Sequence, residues 1–496
     1  MESGLPARTS TAAGAVFLVA AQVCVGAFGY VMQASVARIL GPADYGTFGV
    51  TFSALYIAVL FVSTGVPAAV SRQIAAEPTA ALALRSLGLR LQGLGCLVVA
   101  GAYFSTAGFW AQLLADPGLE PYLRLSALAI PAYAFVNSQL GYFNGLHLFS
   151  RQAVGILVYG LSRMVFITGL AYLFGLLGSV GAAALGPLLA LLVALWLSPA
   201  VPRTMGVPSA STRDLLAFAV PVMVLAVTMQ LLLTLDLFYA KAFIADDLTV
   251  GYYAAASTLG RLPYFVFPAL GSVLLPAVSR SVAGASDKTP TYFARQATRA
   301  ILICGVIMVA LSAAKAEPLI AMLFSPKYTA AAAALPILMM GVSLISYFYV
   351  LTSLQAGAGQ VRRPAAAGLT ALAFGAIAGQ YLVPSQGMVG AALTCLAMGT
   401  FACAISLVAV SRAFGGFWPF HTTWRCLVAA VPAAALAALL PAGTVGTLAS
   451  LMMGGLVYLL LLWLLREFGA EDWELLNRYG LVLRIRGRLG ARSSAP

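Results

Sequence analysis

The sequence predicts an all-α, polytopic membrane protein, and three observations carry that prediction. Hydrophobic residues make up 61% of the 496-residue chain and charged ones only 9%, more apolar surface than a water-soluble protein can hide. The charges are confined to short breaks between apolar runs, and each run approaches the roughly 20 residues that a bilayer crossing needs. The runs are continuous and rich in Ala, Leu and Gly, whereas the strands of an outer-membrane barrel would alternate.

About fourteen transmembrane helices are expected, at 14–37, 47–70, 87–109, 122–145, 152–175, 178–200, 214–240, 251–278, 296–314, 330–354, 364–383, 387–411, 425–441 and 443–465. The first is read as a span and not as a cleaved signal: its apolar run is too long, and no small-residue cleavage site precedes a polar chain. The later spans are separated by turns holding Gly, Pro or charge, residues that interrupt a helix. The tail 467–496 starts acidic (Glu471, Asp472, Glu474) and ends basic, and is expected to lie on the membrane surface as an amphipathic helix.

Orientation follows from Lys and Arg, which short cytoplasmic loops retain. Twenty-one basic residues fall on one side, among them Arg72, Arg85, Arg151, Arg280, Arg363 and Arg412; five (Arg38, Arg124, Lys241, Lys315, Lys327) fall on the other. Both termini are therefore expected in the cytoplasm of a multi-pass inner (plasma) membrane protein. The same asymmetry accounts for the formal charge of +13 as topology anchors and contacts with anionic membrane lipid. Nucleic-acid binding is excluded, since no soluble domain offers a basic face interleaved with aromatics. The six cysteines and two histidines, His147 and His421, show no metal or redox spacing. No metal and no cofactor is expected, and no Gly–Lys–Ser/Thr phosphate loop is present for ATP.

An internal repeat organises the chain. Tyr45–Gly46, leading through a span to Gly65-Val-Pro67-Ala-Ala-Val-Ser71-Arg72, has a counterpart in Val250–Gly251, leading to Val273-Leu-Leu-Pro276-Ala-Val-Ser279-Arg280. The loop Gly145–Arg151 similarly matches Gly357–Arg363. The offset of 205 to 212 residues maps spans one to six onto seven to twelve in the same orientation, so two parallel six-helix repeats around a central cavity are expected. The expected divisions are 1–205, 206–415, two accessory C-terminal helices in 416–466, and the cytoplasmic tail 467–496.

Arg38-Ile-Leu-Gly41-Pro42-Ala-Asp44-Tyr45-Gly46-Thr-Phe48 resembles the first extracytoplasmic turn of polysaccharide and O-antigen flippases, the lipid-linked oligosaccharide branch of the multidrug/oligosaccharidyl-lipid/polysaccharide (MOP) exporter superfamily. The two halves, the Ser–Arg exit from span two and the Arg-containing loop after span four are similar to that family as well. The resemblance implies a flippase that moves a polyprenyl-diphosphate-linked glycan from the cytoplasmic to the outer leaflet by alternating access, for cell-surface polysaccharide biosynthesis. It also implies partnership with other polysaccharide-assembly proteins. A monomer is expected, since one chain holds both halves of the cavity.

Charge inside the bilayer is costly and faces a cavity or a partner, which selects the candidate site residues. Arg261 lies deep in span eight, with Tyr253, Ser257 and Tyr264 at helical spacing, and its guanidinium fork suits a phosphate. Its alternative is a helix-end carbonyl or buried acid as partner. Arg163 in span five shares a face with Gly155 and Tyr159 and could equally meet a neighbouring helix. Arg38 either enters the cavity or snorkels to headgroups; Arg72 is an anchor or an entry-side phosphate contact. Gln22, Gln33, Asn137 and Gln230 add polar lining or helix-to-helix hydrogen bonds. Asp236 and Asp44 are the candidates for ion coupling, against a salt bridge of Asp236 to Lys241 and a capping role or an Arg38 pair for Asp44.

Two other functions are weighed on the same residues. A cation-coupled multidrug antiporter of the superfamily would need carboxylates in its cavity, where this chain offers arginines. A membrane glycan polymerase or glycosyltransferase would need clustered catalytic acids in an outer loop, and the outer loops carry only dispersed ones. The chain is therefore not expected to be an enzyme.

Overall fold

A computed structural model describes residues 11–198, 211–284, 288–360 and 362–469. The described residues form α-helices with short 3-10 turns and no strand. In chain order the helices are α1 (Thr11–Leu40), α2 (Pro42–Ser63), α3 (Gly65–Ala76), α4 (Ala81–Leu113), α5 (Glu120–Ala127), α6 (Ala129–Gly145), α7 (Phe149–Gly181), α8 (Leu185–Trp196), α9 (Thr212–Leu232), α10 (Leu235–Phe243), α11 (Asp247–Gly260), α12 (Leu262–Val282), α13 (Pro290–Ala314), α14 (Ala316–Leu323), α15 (Leu335–Gly357), α16 (Arg362–Phe414), α17 (Phe420–Leu439) and α18 (Thr444–Leu464). Ten helical stretches among these residues are long and apolar enough to cross a membrane. Large apolar side chains such as Trp196, Leu439 and Val445 lie more than four-fifths exposed, as on a surface that faces lipid.

The spans divide differently from the expectation in two ways. Two stretches, Phe149–Trp196 and Arg363–Phe414, run for 48 and 52 residues, about twice one crossing. Each reverses at a glycine with positive φ: Gly175 (φ 59, ψ −141) and Gly387 (φ 55, ψ −128). These dihedrals belong to a region that only glycine populates freely. Conversely, four expected single spans are broken, at Thr64, Leu128, Leu233–Thr234 and Arg261. The segment 71–86 between the second and third expected spans is also largely helical, since α3 continues to Ala76 and α4 begins at Ala81. The division at 205/206 and the tail from 470 onward lie outside the described residues.

Two sets of contacts position the site. Where α2 crosses α11, backbone meets backbone: a Cβ on Gly46 would stand 2.9 Å from the nitrogen of Gly251, and one on Gly251 would stand 1.8 Å from the carbonyl oxygen of Pro42. Side chains are excluded there, which lets the helices approach closely. The two Ser–Arg segments make different contacts: Ser71 accepts from the side chain of Asn144 (3.0 Å), whereas Ser279 donates to the backbone carbonyl of Gly357 (3.0 Å). α17 and α18 pack on each other and on α13. Just beyond α18, the buried Glu467 accepts from Arg299 Nε (2.7 Å), Thr422 (2.6 Å) and Arg425 Nη1 (2.9 Å). Burial pushes its carboxyl up, but those three donors outweigh burial and hold it below its ordinary value.

Candidate functional site

A cavity of about 610 Å³ opens at the arginine-rich end, between α1, α3, α6 and α7. Part of its wall is the junction where α2 gives way to α3 at Thr64, whose hydroxyl donates to the Leu60 carbonyl (2.7 Å). α3 then brings Ser71 and Arg72 to the rim. α6 contributes Asn137 and Asn144; Asn137 donates its amide to the Tyr133 carbonyl (2.9 Å), and its oxygen has no donor among the described residues. The turn from α6 to α7 places His147 in the left-handed region (φ 58) with its ring edge-on to Phe149 at 5.6 Å. α7 supplies Gln152 and Tyr159, and α1 supplies Gln22.

The electrostatics of this lining are one-sided. Arg72 and His147 are its ionisable nitrogen groups, and among the described residues no carboxylate lines it. Arg72 reaches across to α9, its guanidinium 4.8 Å from the Phe218 ring centroid. Behind Tyr159, Arg163 donates Nη1–H to the phenol oxygen (3.4 Å) and stands 5.9 Å over Phe52, while its buried Nε has no partner among the described residues. Tyr159 thus joins the open cavity to a second, deeper cation.

Of the candidate residues, Gln22, Asn137 and Arg72 line the cavity, and Arg163 adjoins it through Tyr159. Others are placed elsewhere. Tyr253 and Ser257 are buried in α11 and do not line this cavity; Tyr253 donates to Asp236 in the first turn of α10, just past the break between α9 and α10. Arg261 ends α11 and donates Nη2–H to the Leu233 carbonyl (2.9 Å), a group freed by that same break. Tyr264, beyond the end of α11, packs against Tyr349 on α15, ring centroids 6.4 Å apart. The proposed stripe fails because the helix it presumed is interrupted at Arg261.

Asp236 is buried, with Oδ1 lacking a partner among the described residues, and Lys241 pairs with Asp116 and Asp247 instead of with it. Gln230 is half-buried, its backbone carbonyl accepting from Thr234 (2.7 Å). Gln33 accepts from Tyr45 (3.3 Å). Arg38 lies at the opposite end of the molecule on backbone carbonyls of residues 322–324, so it neither lines this cavity nor holds Asp44, which is exposed in the first turn of α2. Asn144 and Tyr159 complete the cavity together with His147 and Gln152, the last two without having been singled out as site residues. The turn residues Gly145-Leu-His147 were the available signal, read only as part of the repeat.

Solved structures share this architecture. The chain is similar to lipid II flippase MurJ in an inward closed conformation, at 14% identity and TM-score 0.70, over 91% of this chain and 99% of that one. It is similar to an inward-facing multidrug resistance MATE family transporter of the MOP superfamily (15%, 0.63, covering 77% and 94%). It is also similar to a MOP superfamily transporter from Pyrococcus furiosus described as having a binding pocket of reverse polarity (15%, 0.58, covering 82% and 97%). The fold is that of MOP superfamily transporters. No curated protein sequence matches the chain. Residues 11–282 match the family model described as polysaccharide biosynthesis protein, and the chain belongs to that family.

Proposed function

We propose that the protein is a flippase for a polyprenyl-diphosphate-linked oligosaccharide, carrying it from the cytoplasmic to the outer leaflet of the inner membrane. The observation that supports this most directly is the charge of the cavity: Arg72 in the lining, Arg163 behind Tyr159, and no carboxylate in the lining among the described residues. Guanidinium groups bind phosphate oxygens with charge-assisted, bidentate hydrogen bonds. Asn137, Asn144, Gln152 and Tyr159 supply the donors and acceptors that sugar hydroxyls require. The arginine-rich end, read as cytoplasmic, is where the cavity opens, so the headgroup enters there while the polyprenyl chain stays in lipid. Alternating access then moves one half against the other.

The test is translocation of a radiolabelled polyprenyl-diphosphate oligosaccharide across proteoliposomes. The native chain is expected to transport it, and Arg72→Ala to lower the rate about tenfold, the loss of one charge-assisted contact. A second reading, a cation-coupled multidrug antiporter, is favoured by buried Asp236 with its unpartnered oxygen. Efflux of an organic cation by the native chain, abolished by Asp236→Asn, with no movement of the anionic glycolipid, would replace the flippase reading.

A further inference from the structure

We propose that the end opposite the cavity is closed by two reciprocal cationic latches, one donated by each half of the chain, flanking the Gly46–Gly251 crossing. The first is Arg38, in the last turn of α1. Its Nε donates to the carbonyls of Leu323 (3.0 Å) and Phe324 (3.2 Å), and Nη2 to that of Met322. These carbonyls stand at the C-terminal end of α14, where a helix leaves acceptors unsatisfied and presents the negative end of its dipole. The second is Lys241, in the last turn of α10. Its buried ammonium reaches Asp116 of the first half at 2.7 Å while also holding Asp247 of its own half.

The two devices correspond. Arg38 and Lys241 each end the first span of their half, 203 residues apart in sequence. Their targets each stand where a helix gives way to a 3-10 turn that opens with proline: Asp116 before Pro117–Leu119, and Phe324 just before Pro326–Ala333. Each cation crosses to the other half, so the closure is mutual. Between them, Tyr328 donates to the Ala37 carbonyl (2.7 Å), Tyr45 and Thr258 share a hydrogen bond (3.1 Å), and the glycine crossing lets the backbones meet without side chains. Arg38 is exposed, so water replaces its carbonyl partners on opening and the contact is reversible. Arg38 is thereby a gate residue and not a ligand of the substrate. The halves it joins are those of the transporter reading, yet opening is measurable with no substrate present.

The reporter is Ala254→Cys: Ala254 is buried one turn inward from Gly251, against Gly49. The purified full chain in detergent is treated with a polar thiol reagent, and modification at position 254 is followed by mass spectrometry. Arg38→Gln and Asp116→Asn are each expected to raise the labelling rate about tenfold, equivalent to about 1.4 kcal/mol of lost closure. Together they are expected to raise it roughly multiplicatively, as independent sites do. Arg38→Lys, which keeps the charge but not the fork, should fall between. Unchanged labelling in the double variant would overturn the proposal. So would an equal rise at a control cysteine replacing Ala171, buried in α7 of the first half, because the variants would then loosen the whole fold and not a gate.

Discussion

Gly251→Ala tests the backbone crossing of α2 and α11. The added methyl would stand 1.8 Å from the Pro42 oxygen and 2.4 Å from its carbonyl carbon. Ordinary van der Waals contact begins near 3.4 Å, so α2 and α11 must separate by roughly 1.5 Å, and a carbonyl fixed in a helix cannot swing aside. Overpacking of this kind costs about 1–3 kcal/mol. Against it stands the gain in helix propensity on replacing glycine, about 1 kcal/mol. Gly93→Ala isolates that gain, because Gly93 lies within α4 with nothing within 4 Å of an added Cβ. Unfolding of both variants in the same detergent should therefore move in opposite directions, Gly93→Ala up and Gly251→Ala down, with a difference of about 1–3 kcal/mol. Gly46→Ala, whose methyl would meet the Gly251 nitrogen at 2.9 Å, should fall between them. Equal shifts for Gly251→Ala and Gly93→Ala would refute the crossing.

Removing the anchor beyond α18 by Glu467→Ala should destabilise the protein by about 2–3 kcal/mol, since it leaves Arg299 and Arg425, both partly exposed, without the shared carboxylate. Because that carboxyl is held below its ordinary value, its contribution is present above the unfolded value of about 4.3 and is lost as pH falls through the folded one; melting temperature should therefore drop more steeply on acidification below about pH 5 in the native chain than in Glu467→Gln. Gly175→Ala and Gly387→Ala place a side chain in a region reserved for glycine, at a cost of about 1–3 kcal/mol each, read as a loss of thermal stability. Tyr159→Phe removes the acceptor for Arg163 while keeping the ring, and is expected to lower glycolipid transport severalfold; unchanged transport would detach Arg163 from the cavity.

Much of the fold was legible because lipid imposes it: a run of apolar residues is a helix in hydrocarbon whatever its neighbours. The two glycine turns could have been read as well, since Gly175-Leu-Leu-Gly178 and Gly387-Met-Val-Gly390 recur 212 residues apart, within the offset found for the repeat. The helix breaks were harder. Leu128 interrupts a helix with no glycine at the break, and Arg261 is followed by Pro263, a signal that the periodic stripe Tyr253–Tyr264 concealed. The fates of the arginines were hardest. Arg38 is satisfied by carbonyls about 285 residues away, and backbone acceptors leave no mark in a sequence. Arg72 lies within α3 (Gly65–Ala76), so the Ser–Arg pair marks a point inside a helix and not its exit.

The sign of the cavity's charge also bears on energetics. On the proposed reading, the cavity holds fixed positive charge and the cargo is negative, so the loaded carrier is near electrical balance and the empty one is not. In a membrane whose interior is negative, each elementary charge is worth about 2.3 kcal/mol per 100 mV across the full field. Exposing vacant cations to the cytoplasmic side is then the favoured direction. The electrical gradient would act chiefly on the unloaded protein, resetting it toward the compartment where its cargo is made.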